Sequence, residues 1–233
     1  MKHTRLFTTL ITILCFSFLL TPVYALQPYD ETNLSAEIIT SDGRVIDISE
    51  YVSFCEESSN QPMSILSESD MESVKYKVDI PYSVLMSWSG GTGYEPGSGT
   101  YGAFVAEIKA VFEKVDAPNS MGAMSTGKYV SSVIYKYSCP TYNVSVKEIE
   151  FWAVSTGYEL FTGIPNRTQD TRSTKTNLTT AIMNDFETGM NTGFTEYIEI
   201  TDDIITDIRA TTYFTLALGS SDEVVVTVTA NVF

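Results

Sequence analysis

The chain has 233 residues, 43 % hydrophobic and 12 % aromatic, with 14 basic side chains against 29 acidic ones. That excess of acid repels nucleic acid and anionic lipid, and the apolar content is too high for a disordered chain. The single histidine, His3, falls inside the leader described next, so the mature chain lacks Ser-His-Asp and Cys-His catalysis, histidine zinc ligands and imidazole acid–base groups.

Residues 1–25 carry Lys2 and Arg5, an apolar run over 6–20, then Pro22 and the small-residue exit Val23-Tyr24-Ala25. This is the pattern of a secretory signal peptide cleaved after Ala25, with an apolar run short of the roughly 20 residues a membrane span needs. Its removal takes two basic residues and no acidic ones, so the net charge becomes 12 − 29 = −17. The expected product is secreted and extracellular, about 208 residues long, enough for one β domain with a small appendage.

Residues 36–40, the turn Ser41-Asp42-Gly43 and residues 44–48 read as a short hairpin, which 51–54 would extend. Residues 56–72 lose periodicity and fill with Ser, Glu, Asn and Pro. The expected organisation is therefore a small N-terminal hairpin and polar linker over 26–72 and a main β domain over 73–233. From Val74 to Trp88 every second residue is apolar, predicting a half-buried strand that bends or bulges at Pro81. A glycine-rich loop follows over 89–102. Residues 103–115 satisfy both the strand and the helix period, and their place in a β-rich chain favours strand; 116–128 read as a connection.

Residues 129–138 and 142–155 are strand candidates on either side of Pro140, with a shorter one at 158–161. The polar stretch 164–176 predicts an exposed loop, and Leu178, Ile182 and Phe186, spaced by four, predict a short helix. A strand over 194–201 precedes the clearest signal. Ile208, Ala210, Thr212, Phe214, Leu216 and Leu218 alternate, 219–222 turn, and Val224, Val226, Val228, Ala230 and Val232 alternate back. The opposite face of this hairpin carries Arg209, Thr211, Tyr213, Thr215, Thr227, Thr229 and Asn231, which predicts cross-strand threonine pairs. The fold class is all-β: an antiparallel β-sandwich or jelly-roll-like barrel with at most one or two short helices.

The glycine loop has neither the Gly-Lys-Ser/Thr ending of a phosphate loop nor a dinucleotide fingerprint, so no cofactor is expected. With Trp88, Tyr94 and Tyr101 it offers rings, hydroxyls and backbone amides suited to a neutral polar ligand such as a sugar, or else a plain hairpin connection. Trp152 is a further ligand-binding candidate. Glu148 and Glu150 share its strand face with Cα atoms about 6.5 to 7 Å apart, a spacing to set against the roughly 5 to 5.5 Å between the carboxyl groups of retaining glycosidases. Glu148-Ile149-Glu150-Phe151-Trp152 distantly resembles the strand motif of a jelly-roll glycoside hydrolase family in which Glu, Asp and Glu alternate. Here Glu150 replaces the Asp and no third carboxylate follows, so a solvated strand face is the simpler reading.

The acidic runs Glu68, Asp70, Glu72 and Asp202, Asp203, Asp207 lack the glycine and bidentate glutamate of a calcium loop, and no metal site is expected. Asn33, Asn143, Asn166 and Asn177 open Asn-x-Ser/Thr sequons, relevant only in a glycosylating host. Cys55 and Cys139 are a disulfide candidate contributing about 4 to 5 kcal/mol by loop entropy, or two buried free thiols. These readings favour a secreted, non-enzymatic β-sandwich binding an extracellular protein or glycan. The alternatives are a β-pore-forming toxin-like protein, the only case with a membrane partner, inserting 74–88 and its return strand, and a carboxylate-dependent glycoside hydrolase.

Overall fold

A computed structural model describes residues 32–55, 70–88, 102–140, 143–176, 178, 184–201, 206–219 and 222–232. The signal-peptide reading of 1–25, the linker over 56–69, Tyr94 and Tyr101 lie outside these residues.

The strands are β1 (Thr32–Thr40), β2 (Val45–Asp47), β3 (Val52–Phe54), β4 (Asp70–Pro81), β5 (Gly102–Pro118) and β6 (Met124–Ser138). There follow β7 (Val144–Gly157), β8 (Arg167–Lys175), β9 (Glu187–Asn191), β10 (Ile198–Glu199), β11 (Asp207–Leu218) and β12 (Asp222–Val232). They form two antiparallel sheets. The first runs β2-β1-β12-β11-β7-β8, and the second runs β10-β6-β5-β4-β3 with β9 also on β6. The all-β sandwich expected from the alternation is the fold observed.

Period-two patterning places one residue set of each strand in a shared core. Ile38, Phe151, Phe214 and Val226 from the first sheet meet Tyr76, Ile80, Phe104, Ile108 and Tyr135 from the second, all fully buried. Rings interlock across the layers, with Phe104 to Phe214 and Tyr135 to Phe151 each 5.0 Å between centroids. The C-terminal hairpin pairs without a slip from Ile208↔Val232 to Leu218↔Asp222, and Thr211 and Thr229 share the expected hydroxyl–hydroxyl bond at 3.0 Å.

Several expectations change in space. Residues 36–48 form the hairpin, but Ile48 is buried and the 3₁₀ turn Ser49–Tyr51 sends β3 to the second sheet, where Val52 pairs Val78. Because β1 and β2 belong to the first sheet and Ala36, Ile38 and Ile48 to the common core, packing does not divide at residue 72.

The strand from Val74 ends at Pro81. Its register slips between Ile80 and Pro81, and Tyr82–Trp88 form a short helix, α1, rather than more strand. Proline cannot donate to the ladder, and the helical turn lays Leu85 in the core with Tyr82 and Val84 packed against it. Residues 103–115 are strand, within β5, and the connection to β6 is shorter than expected, spanning only 119–123. The polar stretch 164–176 contains strand β8 at the sheet edge. Around the expected helix at 178–186, residues 184–186 are not helical and 179–183 lie outside the described residues.

A buried polar contact joins the layers between β6 and β7. The β5–β6 register slips between Val111 and Phe112, leaving Ser131 as the extra residue, and next to it the Val130 amide donates to the buried Ser155 hydroxyl at 3.2 Å.

Candidate functional site

The outer face of the first sheet is a row of side chains from β11, β7 and β8 set by register alone. Thr211 pairs Trp152, which pairs Arg172. One step along, Tyr213 pairs Glu150, which pairs Thr174, and Arg209 pairs Val154, which pairs Asp170. Glu148, Glu150 and Trp152 therefore share one face, as their spacing in the sequence requires.

Trp152 is the centre of this surface. Its indole N–H donates to Asp170 at 2.6 Å, and the guanidinium carbons of Arg172 and Arg209 lie 4.4 and 4.6 Å from its ring centre. Arg172 also donates to Glu150 at 3.0 Å, with 57 % of its side chain exposed. Arg209 faces Asp207 at 3.6 Å. Beneath this layer Thr211 and Val154 are buried although they point away from the core. The indole and the arginine stems cover them.

The electrostatics follow from the same neighbours. Burial raises the Tyr213 hydroxyl above its ordinary range; Arg172 and Arg209 oppose that shift and Glu150 adds to it. Burial likewise raises the Asp207 carboxyl, with Arg209 pulling it back. The surface is thus a set of planar polar groups, carboxylate, guanidinium and indole, each fixed by the next. Such a set presents ordered donors and acceptors around an apolar ring.

The other expected site residues are distributed elsewhere. Trp88 ends α1, which packs on β4 and β5 of the second sheet, and its side chain lies outside the described residues. Glu150 is ion-paired to Arg172 rather than set across a cleft from Glu148. Glu72 pairs with the buried Lys128 at 2.8 Å, whereas Glu68, Asp202 and Asp203 lie outside the described residues. Among the described residues no group of three or more His, Cys, Asp or Glu side chains is arranged to hold a metal ion.

Cys55 and Cys139 carry free thiols, so the candidate disulfide is not formed. The Cys55 amide bonds to Lys75 on β4. Lys75 pairs Lys109 on β5, Lys109 pairs Ile134 on β6, and Cys139 follows the end of β6. Three strand spacings make about 14 Å, and Cys139 lies five residues beyond Ile134, so the Cα separation is more than twice what a disulfide spans.

Asp170, Arg172 and Arg209 escape a reading of the sequence as site residues. Residues 167–175 are polar on both faces and carry no period, so nothing in the chain marks Asp170 and Arg172 as neighbours of Trp152. Arg209 is visible there only as one member of the polar face of the C-terminal hairpin. Comparison with known protein families, curated proteins and solved structures finds no match.

Proposed function

We propose that the chain is a secreted, non-enzymatic glycan-binding β-sandwich whose site is the outer face of the first sheet around Trp152. The supporting observation is the indole held by Asp170 among Glu150, Arg172 and Arg209. Sugar rings present apolar C–H faces beside hydroxyls, and they are recognised by an aromatic ring bordered by planar polar groups ordered before the ligand arrives. Arg172, more exposed than Glu150 or Arg209, is the group that turns from the indole to the ligand. The open outer face of the sheet suits a polymer lying across it, and the leader-like residues 1–25 and acidic composition suit an extracellular setting.

In this reading Glu150 orients Arg172 and has no catalytic task. The pore-forming reading has less support. The segment it would insert shares β4 and β5 with the core, where Tyr76, Val78, Ile80 and Ile108 are fully buried. No helix among the described residues is long and apolar enough to cross a membrane, which bears on helices only.

The test is affinity electrophoresis and calorimetry against a panel of neutral polysaccharides. Trp152→Ala and Asp170→Ala should each weaken binding about tenfold, the scale of one aromatic or charge-assisted contact. Lys77→Ala, on the outer face of the other sheet, should leave it unchanged. A wild-type chain that binds no glycan, or one whose binding is lost in Trp88→Ala and kept in Trp152→Ala, overturns this assignment.

A further inference from the structure

Three lateral positions of the sandwich end in very short strands. β2 and β3 have three residues each, and β10 has two beside the five of β9. Short edges are a common way to prevent sheets from pairing with other chains. The fourth edge, β8, breaks this pattern.

β8 has nine residues, no proline and no bulge, and it pairs with β7 in unbroken register from Gly157↔Arg167 to Ile149↔Lys175. On its other side no backbone hydrogen bond forms among the described residues. Its inward side chains tie the two sheets together. Gln169 bonds to the amides of Thr195 and Glu196 and to the Glu196 carbonyl, Arg167 pairs with Glu196, and Ser173 reaches the Gly189 carbonyl. These bonds hold the strand from below, and its lateral N–H and C=O groups have no backbone partner among the described residues.

We infer that β8 pairs edge to edge with β8 of a second copy of this chain, antiparallel, about a two-fold axis through Thr171. The sequence Arg167-Thr-Gln-Asp-Thr-Arg-Ser-Thr-Lys175 is self-complementary about that residue. Asp170 then faces Arg172 of the partner subunit and Arg172 faces Asp170 of the partner subunit, all on the outer face. Thr168 faces Thr174 of the partner subunit in a favourable cross-strand threonine pair. The like-charge pairing, Arg167 with Lys175 of the partner subunit and its symmetry mate, is relieved because Arg167 already meets Glu196 in its own subunit. A two-fold contact requires this kind of self-complementary patch, and the union makes one twelve-stranded sheet from two six-stranded ones.

Antiparallel pairing keeps both outer faces on the same side, so the two Trp152 surfaces become continuous. They lie three strand spacings apart, roughly 14 Å. That arrangement would serve a polymeric ligand by avidity, yet the pairing itself stands independently of the glycan proposal.

Sedimentation equilibrium of the chain, up to concentrations on the order of 100 µM, tests this directly. The wild type should dimerise. Asp170→Arg and Arg172→Asp should each weaken the dimer about tenfold or more, because two attractive cross-strand pairs become repulsive. An equimolar mixture of the two variants should recover it as a heterodimer, since the doubly basic edge of the first variant then faces the doubly acidic edge of the second across the axis. Hydrogen exchange of the wild type supplies a readout free of variants: alternate amides of β8 should gain protection as concentration rises. A wild type that stays monomeric with concentration-independent β8 exchange overturns the inference, as does a dimer indifferent to both charge reversals.

Discussion

Gly189 packs its backbone against a core ring, and replacing it with alanine puts the packing of the sandwich to a quantitative test. It is the extra residue where β9 slips against β6, between Val133↔Met190 and Ile134↔Thr188. A Cβ at this position would lie 2.5 Å from two ring carbons of Phe151 and 2.9 Å from a third. Ordinary carbon contacts are about 3.5 to 4.0 Å, so about 1 Å of movement is required. Phe151 cannot supply it cheaply, being fully buried against Tyr135 with ring centroids 5.0 Å apart. Overpacking of this kind costs about 1 to 3 kcal/mol, which for a domain near 200 residues lowers Tm by roughly 2 to 4 °C for each kcal/mol. Urea unfolding of Gly189→Ala, Phe151→Leu and the double variant separates the steric term from the rest. The smaller side chain should accept the new methyl group, giving a double variant more stable than the sum of its parts by at least about 1 kcal/mol. A Gly189→Ala protein within about 0.5 kcal/mol of wild type, or strict additivity, would refute the steric reasoning.

Tyr76, Tyr129 and Tyr135 have hydroxyls raised above their ordinary range mainly by burial, with Glu113 adding to the shift at Tyr129 and Glu187 at Tyr135. Above about pH 10 the unfolded chain loses these protons while the folded chain keeps them, so stability falls as pH rises, by about 1.4 kcal/mol per pH unit for each tyrosine. Alkaline unfolding curves should flatten by one such increment in Tyr76→Phe. Unchanged slopes would mean that the phenol is not held neutral by the fold. The Cys139 thiol, pushed up to about 11 chiefly by burial, should react with an alkylating agent at pH 8 far more slowly than an unfolded-chain thiol. Reducing agent should leave Tm unchanged, and a drop on reduction would show a disulfide that the geometry does not allow.

Alternation makes the C-terminal hairpin readable because each strand has one dry and one polar face, and period two has no competing interpretation there. Tyr82 and Val84 continue the period of two but Leu85 breaks it, and the missing amide of Pro81 together with the burial of Leu85 decides that α1 forms. β8 gives no signal, because its outer face meets solvent and its inner face makes hydrogen bonds rather than core contacts. Glu150 and Trp152 can be placed on one face from local spacing. Their partners Arg172 and Arg209 depend on the register of β7 with β8 and β11, which residues distant in the chain determine together. The same limit explains the cysteines, whose separation depends on strand order.

The partner of β1 has a consequence for how the protein comes into being. β1 pairs with β12 residue for residue from Thr32↔Val232 to Thr40↔Val224. The ribosome completes β1 long before it begins β12, with residues 41–221 between them, a wait of about 10 to 40 s at ordinary elongation rates. Throughout that interval the first sheet lacks the strand that joins β1 to β11, and neither neighbour can seal its side of the core. Completion of this sheet therefore waits for β12, and until then the nascent polypeptide depends on whatever shields an amphipathic strand from the wrong partner.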